Sequence, residues 1–245
     1  MLNFKVGLVI PCFNEGTRLV PEAFTSYLRL YPNVIIIFVD DGSNDGTLLV
    51  INSICSHTDQ ATYISLGKNQ GKAEAVRRGI IKIMETEPDF IGYFDADLST
   101  DLFVIDEMLK IMEENPPIKL VMGSRISKLG SSINRKWYRH LMGRLLATLI
   151  DSFYLRLRVY DTQCGAKLMR SQLARETCFK KFVTKWLFDV EIISRMISQN
   201  GRSITKKQIF ELPLKKWTHC KNSKIGLIEN IYIGIDFLKI FLNYR

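Results

Sequence analysis

Two carboxylates one residue apart, Asp95 and Asp97, close the apolar run "FIGYFDAD". Alternate side chains of an extended chain point the same way, so both acids can reach one cation. Hard divalent cations take oxygen ligands of this kind, and a metal site is one reading of the pair. The other is a helix N-cap, because Asp97, Ser99 and Asp101 precede the amphipathic run "DLFVIDEMLKIMEEN". An unmatched charge at the end of a buried strand is costly, which points to a ligand that offsets it. Further acids hold equivalent places: Asp40 and Asp41 end "NVIIIFVDDGS", and Asn14 and Glu15 follow "KVGLVIPCF". In "KNQGK", backbone N–H groups and Lys72 stand before a helix, which suits an anion; a plain turn at Gly71 is the alternative. His57, His140 and His219 are scattered without ligand spacing.

The elements that must position these groups alternate in kind. "KVGLVIP", "NVIIIFVDDGS", "ATYISLG", "FIGYFDAD" and "IKLVMGSR" read as strands. The segments between them, "LVPEAFTSYLRLY", "DGTLLVINSICS", "AEAVRRGIIKIMETE" and "DLFVIDEMLKIMEEN", carry helical apolar spacing, the second with Asn44 or Asp45 as a possible cap. Continuous apolar strands alternating with helices predict β-α-β units, hence an open, mostly parallel sheet with helices on both faces. Ligands of such sheets bind beyond the carboxyl ends of the strands, so Asn14, Glu15, Asp40, Asp41, Asp95 and Asp97 converge on one edge. No G-x-G-x-x-G follows the first strand, which argues against a dinucleotide and for a mononucleotide edge with a hard cation.

After Ser124 the character changes. "SSINRKWYRHLMGRLLATLIDSFYLRLRV" is a basic amphipathic stretch with interleaved aromatics, and "YDTQCGAKLMRSQ" is a polar loop leading into a strand-like segment. "VTKWLFDVEIISRMISQNG" reads as a helix carrying Asp189 and Glu191, "SITKKQIFELPLKKW" as a late strand, and "SKIGLIENIYIGIDFLKIFLNYR" as a terminal helix with Glu229, Asp236, Lys239 and Asn243 on one stripe. Residues 1–124 hold 10 Lys and Arg against 17 Asp and Glu, and residues 125–245 hold 24 against 8, within a net charge of +9. A uniformly basic chain would suggest nucleic-acid binding; this segregation, with no RNP, zinc or helix-turn-helix signature, disfavours it. It suits metal chemistry in the first half and attraction to an anion or a membrane surface in the second. Five cysteines without C-x-x-C spacing predict reduced thiols in the cytoplasm. No uncharged run approaches the ~18 residues of a membrane span, and "MLNFKVGLVIPCFNE" predicts a first core strand rather than a signal peptide. With no linker or repeat, residues 1–245 are expected to form one domain, 1–124 carrying the mononucleotide edge and 125–245 the basic surface.

The series "VIPCFNE", "VDDGSNDGT", "NQGKAEAVRRG", "FDADLS" and "GSR" resembles the inverting glycosyltransferases of family 2, with their Rossmann-like GT-A fold. "YDTQCGAKLMR" followed by "KWLFDVEII" is similar to their dolichyl-phosphate glucosyltransferase branch more than to the mannose synthases. The resemblance implies transfer of a hexose, with UDP-glucose the favoured donor and GDP-mannose the other, onto a polyprenyl or dolichyl phosphate. It places the protein peripherally on the cytoplasmic face of a membrane and implies Mg2+ or Mn2+ held by Asp95 and Asp97 at the diphosphate. It assigns Pro11, Phe13, Glu15 and Asp41 to the nucleoside pocket and Lys72 to the phosphates, with Asp40 either a nucleotide contact or a turn cap. Arg125, Arg135 and Arg139 match positions near the acceptor phosphate, Arg139 with the alternative of an exposed helix charge. Asp161 and Gln163 lie in the loop near the sugar and acceptor. Asp189 has three readings: general base, as in relatives that glycosylate hydroxyls, contact with sugar hydroxyls, or a partner that orients an arginine. Inversion uses no covalent enzyme intermediate, so Cys164 is not expected to be a nucleophile. A hydroxyl acceptor in cell-surface polysaccharide synthesis is the competing reading.

Overall fold

The computed structural model describes residues 4–126, 130–134, 150–218 and 227–244. Nine strands are seen among them: β1 (Val6–Cys12), β2 (Val34–Asp40), β3 (Ala61–Ser65), β4 (Phe90–Phe94), β5 (Leu120–Ser124), β6 (Ser132–Asn134), β7 (Ala166–Arg170), β8 (Ile209–Pro213) and β9 (Lys216–Thr218). The helices are α1 (Pro21–Leu30), α2 (Thr47–Ser56), α3 (Lys72–Ile83), α4 (Val104–Glu114), α5 (Ser171–Cys178), α6 (Phe188–Gln208) and α7 (Leu227–Asn243). Seven strands form one sheet in the order β3-β2-β1-β4-β7-β5-β8, while β6 and β9 pair in parallel beside it.

The strands are apolar because the sheet is covered on both faces. Along β1, Leu8 and Ile10 face one core with Phe24 and Tyr27 of α1, Ile51 and Ile54 of α2, and Leu109 of α4. Val9 faces the other, with Val76 and Ile80 of α3, Leu173 of α5, Ile193 of α6 and Ile240 of α7. The expected α/β architecture is therefore present, and the sheet draws on both halves of the chain.

One strand runs against the rest. β7 pairs antiparallel with both β4 and β5, whereas β1, β2, β3 and β4 pair in parallel, as do β5 and β8. The reversal brings the start of β7, and the loop Asp161–Gly165 before it, to the edge where β1, β2, β4 and β5 end. The chain passes from β1 outward to β2 and β3 and then returns to β4 on the other flank, so the switch point lies between β1 and β4.

Three expectations differ from the structure. Residues 203–208 of the expected late strand continue α6, which bends at Gly201 and resumes; the rest forms two strands, Ile209–Pro213 and the start of Lys216–Thr218. The basic amphipathic stretch does not run on as a helix through "RLRV". It closes in a π-helical turn, Asp151–Leu155, and Arg156 and Arg158 take left-handed conformations. Asp151 fixes this end by accepting from the backbone N–H of Leu157 (3.1 Å), Arg158 (3.0 Å) and Val159 (3.1 Å). On α7, Asp236 is buried rather than part of an exposed polar stripe, and it accepts from the N–H groups of Lys185 (3.0 Å) and Trp186 (2.9 Å). Arg135 and Arg139, with the rest of residues 135–149, lie outside the described residues.

Candidate active site

The end of β1 carries Pro11, and the turn after it carries Phe13 and Glu15, all half-buried. This turn is stitched to the loop after β2. Asn14 N–H donates to Ser43 Oγ (2.9 Å), Asn44 N–H to Asn14 Oδ1 (2.9 Å), Glu15 N–H to Thr47 Oγ1 (2.7 Å) and Gly16 N–H to Asp45 Oδ2 (3.1 Å). Asp45 also accepts from Thr47 N–H (2.9 Å) and so holds the first residue of α2, but the N-cap position is Gly46 rather than the expected Asn44 or Asp45. Two sequence motifs thus form one wall.

Asp40 and Asp41 are both buried, and each holds a loop. Asp40 accepts from Ser43 N–H (3.2 Å) and Ser65 Oγ (3.1 Å), which gives it the turn-capping role set against nucleotide contact above. Asp41 accepts from the N–H groups of Gln70 (2.7 Å) and Gly71 (2.9 Å), and so shapes the loop that leads to Lys72. Burial raises the Asp41 carboxyl above its ordinary value, against the pull of those two N–H groups. Each carboxylate oxygen has a second lone pair, so a ligand can still be accepted. Gly71 sits at φ +95, ψ 155, a conformation that only glycine takes at low cost, and α3 begins at once after it.

Asp95 and Asp97 follow β4 and are partly exposed. Lys72 Nζ lies 2.5 Å from Asp95 Oδ1. Burial alone would favour the neutral amine of Lys72, but Asp95, then Asp189 and Asp97, hold the ammonium above its ordinary value. The backbone N–H of Asp95 donates to Gly165 O (3.0 Å), and a Cβ on Gly165 would fall 1.8 Å from Asp95 Oδ2. The carboxylate therefore lies in space that glycine leaves open. Asp97 Oδ1 accepts from Ser99 N–H (3.0 Å) and Ser99 Oγ (2.7 Å), while Asp101 caps the turn before α4 through Phe103 N–H (3.1 Å). Among the described residues no group of three His, Cys, Asp or Glu side chains could hold a metal alone. Two partly exposed carboxylates are nonetheless the donor set of a magnesium-type ion that takes its remaining ligands from substrate phosphates and water. The residues fit such a cation.

Arg125, just past β5, is gripped by Asp161: Nε to Oδ2 at 2.6 Å, Nη2 to Oδ1 at 2.7 Å, and the Arg125 N–H to Oδ2 at 3.1 Å. Burial opposes its charge, but Asp161 holds the guanidinium well above its ordinary value. Its plane lies 5.6 Å from the Trp217 ring. Glu211 of β8 fixes the loop from behind, accepting from Tyr160 N–H (2.9 Å) and Asp161 N–H (2.6 Å). Gln163 and Asp189 meet at 3.4 Å, Nε2 to Oδ2. Cys164 is fully buried, and burial pushes its thiol up to about 11, so it stays protonated and is no nucleophile.

The structure thus gathers every expected site residue among those described on one side of the sheet edge. Sequence reasoning missed Lys167, Tyr93, Gly165 and Glu211. Lys167 is a lysine inside a buried strand, and nothing in "GAKLMR" separates it from an outward-facing one.

This geometry has relatives. The chain is 29% identical to the human dolichyl-phosphate beta-glucosyltransferase, over 98% of this chain and 76% of that protein. It is 28% identical to a dolichyl-phosphate beta-glucosyltransferase of Trichomonas vaginalis, over 97% of this chain and 71% of the other. The fold superposes on glucosyl-3-phosphoglycerate synthase from Mycobacterium tuberculosis, solved with Mn2+, uridine diphosphate and glucosyl-3-phosphoglycerate. The TM-score is 0.72 at 16% identity, over 99% of this chain and 80% of the synthase. That likeness identifies the GT-A fold. The model of the family described as glycosyl transferase family 2 matches residues 8–178, a span that runs from β1 through the paired carboxylates to α5, and the chain belongs to that family of glycosyltransferases.

Proposed function

We propose that this glycosyltransferase moves glucose from UDP-glucose onto a polyprenyl-class lipid phosphate at a membrane surface, with inversion at the anomeric carbon. One observation carries the reading: beside the Asp95–Asp97 edge stands a partly buried arginine forked onto Asp161. That is equipment for an anionic acceptor, since a guanidinium matches phosphate bidentately. The match to dolichyl-phosphate beta-glucosyltransferases over nearly the whole chain supports the same donor and acceptor class.

The turn after β1 and the loop after β2 cradle the nucleoside through Pro11, Phe13, Glu15 and Asp41. Lys72 lies beside Asp95, where it meets the diphosphate. Asp97 with Asp95 would hold a divalent cation, Mg2+ or Mn2+, whose chemistry when bound would be charge neutralisation at the diphosphate. Arg125 orients the acceptor phosphate, assisted by Arg135 and Arg139 of the basic segment. Asp161 sets the direction of the Arg125 fork. A phosphate oxygen in line with the leaving group then needs positioning more than activation. No described helix is long and apolar enough to cross a membrane. The lipid is met at the surface, on the cytoplasmic face where a cytoplasmic nucleotide sugar is at hand.

The test is transfer from radiolabelled UDP-glucose or GDP-mannose to polyprenyl phosphate in detergent, with and without chelator. Label should enter the organic phase from UDP-glucose, vanish with chelator and return with Mg2+ or Mn2+. Transfer only to the hydroxyl of a water-soluble sugar would replace the acceptor assignment, and a preference for GDP-mannose would replace the donor.

A further inference from the structure

Lys167 lies within the sheet on β7, 1% exposed. A buried ammonium is costly unless it is matched. Its Nζ stands 2.7 Å from Asp189 Oδ1 and donates to Cys164 O at 2.7 Å, beside the face of Tyr93. Asp189, at the start of α6, is 5% exposed. The same Oδ1 accepts from the Tyr93 hydroxyl, and Oδ2 faces Gln163 Nε2.

A general base must turn an available oxygen to the acceptor and take its proton. Asp189 turns one oxygen to an ammonium and a phenol and the other to an amide. Protonating it would leave Lys167 as a buried, unmatched cation. The pair also reaches the donor edge. Lys167 holds the carbonyl of Cys164, and the next residue, Gly165, accepts the backbone N–H of Asp95 at its own carbonyl and leaves room for the Asp95 carboxylate.

We infer that Lys167 and Asp189 are positioning residues that set the loop Asp161–Gly165 against Asp95, and that Asp189 does not take a proton from the acceptor. The inference rests on the transfer to phosphate proposed above and narrows its chemistry. The nucleophile is an oxygen of a phosphate monoester that arrives ionised. Its lone pair forms the new bond to the anomeric carbon, the electrons of the breaking bond leave on UDP, and no proton changes hands.

A double-mutant cycle on the full chain tests this, using Lys167→Met, Asp189→Asn and the two together. The readouts are UDP-glucose affinity by calorimetry, melting temperature, and kcat with polyprenyl phosphate across pH. Each single change leaves a buried partner unmatched and should weaken UDP-glucose binding roughly tenfold or more; the double variant restores the charge balance but not the hold on Cys164 O, so it should regain melting temperature while donor binding stays weaker than in the native protein. The acid limb of its kcat–pH profile should coincide with the native one. If the single variants do not fold, the double variant decides alone, since an essential base is not rescued by removing its lysine as well. Native-like donor binding with transfer abolished, or with residual transfer whose acid limb is gone, would overturn the assignment in favour of a general base. Single variants that bind donor normally would overturn the positioning role. Failure of the acceptor reading is separate: native protein would glycosylate only a sugar hydroxyl, the donor-binding cycle would still report on the pair, and the pH arm would be run with that sugar.

Discussion

Asp95 and Asp97 differ in what holds them. Asp95 is shared between Lys72 and the bare backbone of Gly165, while Asp97 is turned by Ser99. Asp97→Asn keeps the size of the side chain and removes its charge. Turnover should fall roughly a hundredfold or more, because a neutral amide is a poor ligand for a hard cation. Melting should barely change, since the side chain is partly exposed. Initial rates over a magnesium titration check this, and near-normal turnover would remove Asp97 from the cation site. Gly165→Ala tests Asp95 from behind. Its Cβ would occupy the place of Oδ2, 1.8 Å away, and a short carboxylate can evade it only by rotating off Lys72. We expect a native circular dichroism spectrum with turnover down at least about tenfold, because misplacing a group near the chemistry by an ångström costs on this order. The paired acids were legible in the sequence because strand and carboxylates are adjacent in it. Lys167 and Gly165 were not, since their partners, Asp189 and Asp95, lie elsewhere in the chain and meet them only in the fold.

Elements carry a different lesson. Periodicity located β1 to β5 and α1 to α4, because each is a local apolar pattern. The direction of β7 is not local: "AKLMR" reads the same in either sense, and only its neighbours β4 and β5 fix it. That reversal brings Asp161 to Arg125. The late strand was misjudged for a related reason. Lys206, Lys207 and Gln208 continue α6 after the bend at Gly201, inside the segment that reads as a strand. On α3, the helix that begins with Lys72, Arg77 donates to Glu74 and to Phe179 O at 2.9 Å, which ties α3 to the end of α5. Arg77 is the main reason that the Glu74 carboxyl sits below its ordinary 4.5, with burial opposing it. A carboxyl lowered in the folded state adds stability above its unfolded value and loses it as pH falls through the folded one. Glu74→Gln should therefore be less stable than the native protein by about 1 kcal/mol near neutrality. The gap should close on acidification below about pH 4. Denaturant midpoints of both proteins from neutral to acid pH check this; a gap that persists in acid would mean that packing, not charge, holds the pair.

At the scale of the whole molecule, charge and apolar surface are divided in one sense. On the proposed reading the acidic half would form the donor edge, and the basic half, 24 Lys and Arg against 8 Asp and Glu, would supply the acceptor side. Within that half α7 is two-faced. Ile240 and Asp236 face inward, while Ile235, Leu238 and Leu242, at helical spacing, are 45%, 57% and 71% exposed. Lys239 borders the exposed row, and the loop that Asp236 anchors carries the exposed Lys180, Lys181 and Lys185. An apolar row flanked by lysines suits an interface of anionic lipid, which rewards insertion and adds about 1 kcal/mol for each well-placed cation. The anchored loop packs on the donor side as well, since Lys185 O accepts from Ala73 N–H of α3 at 3.4 Å. Lipid contact at α7 would thus occur on the same body that holds the nucleotide loop. We expect the protein to float with anionic vesicles at low salt and to be released as salt rises. Leu238→Ser with Leu242→Ser should weaken flotation while leaving the melting temperature near the native value, because both side chains are already in water. Neutralising Arg135, Lys136 and Arg139 together should weaken it through charge, and most visibly at low salt. Flotation unchanged by the serine pair but abolished by the arginine and lysine changes would assign the membrane contact to the basic segment and leave α7 as packing; no flotation at any salt, with transfer to a soluble sugar intact, would remove the membrane from the reaction.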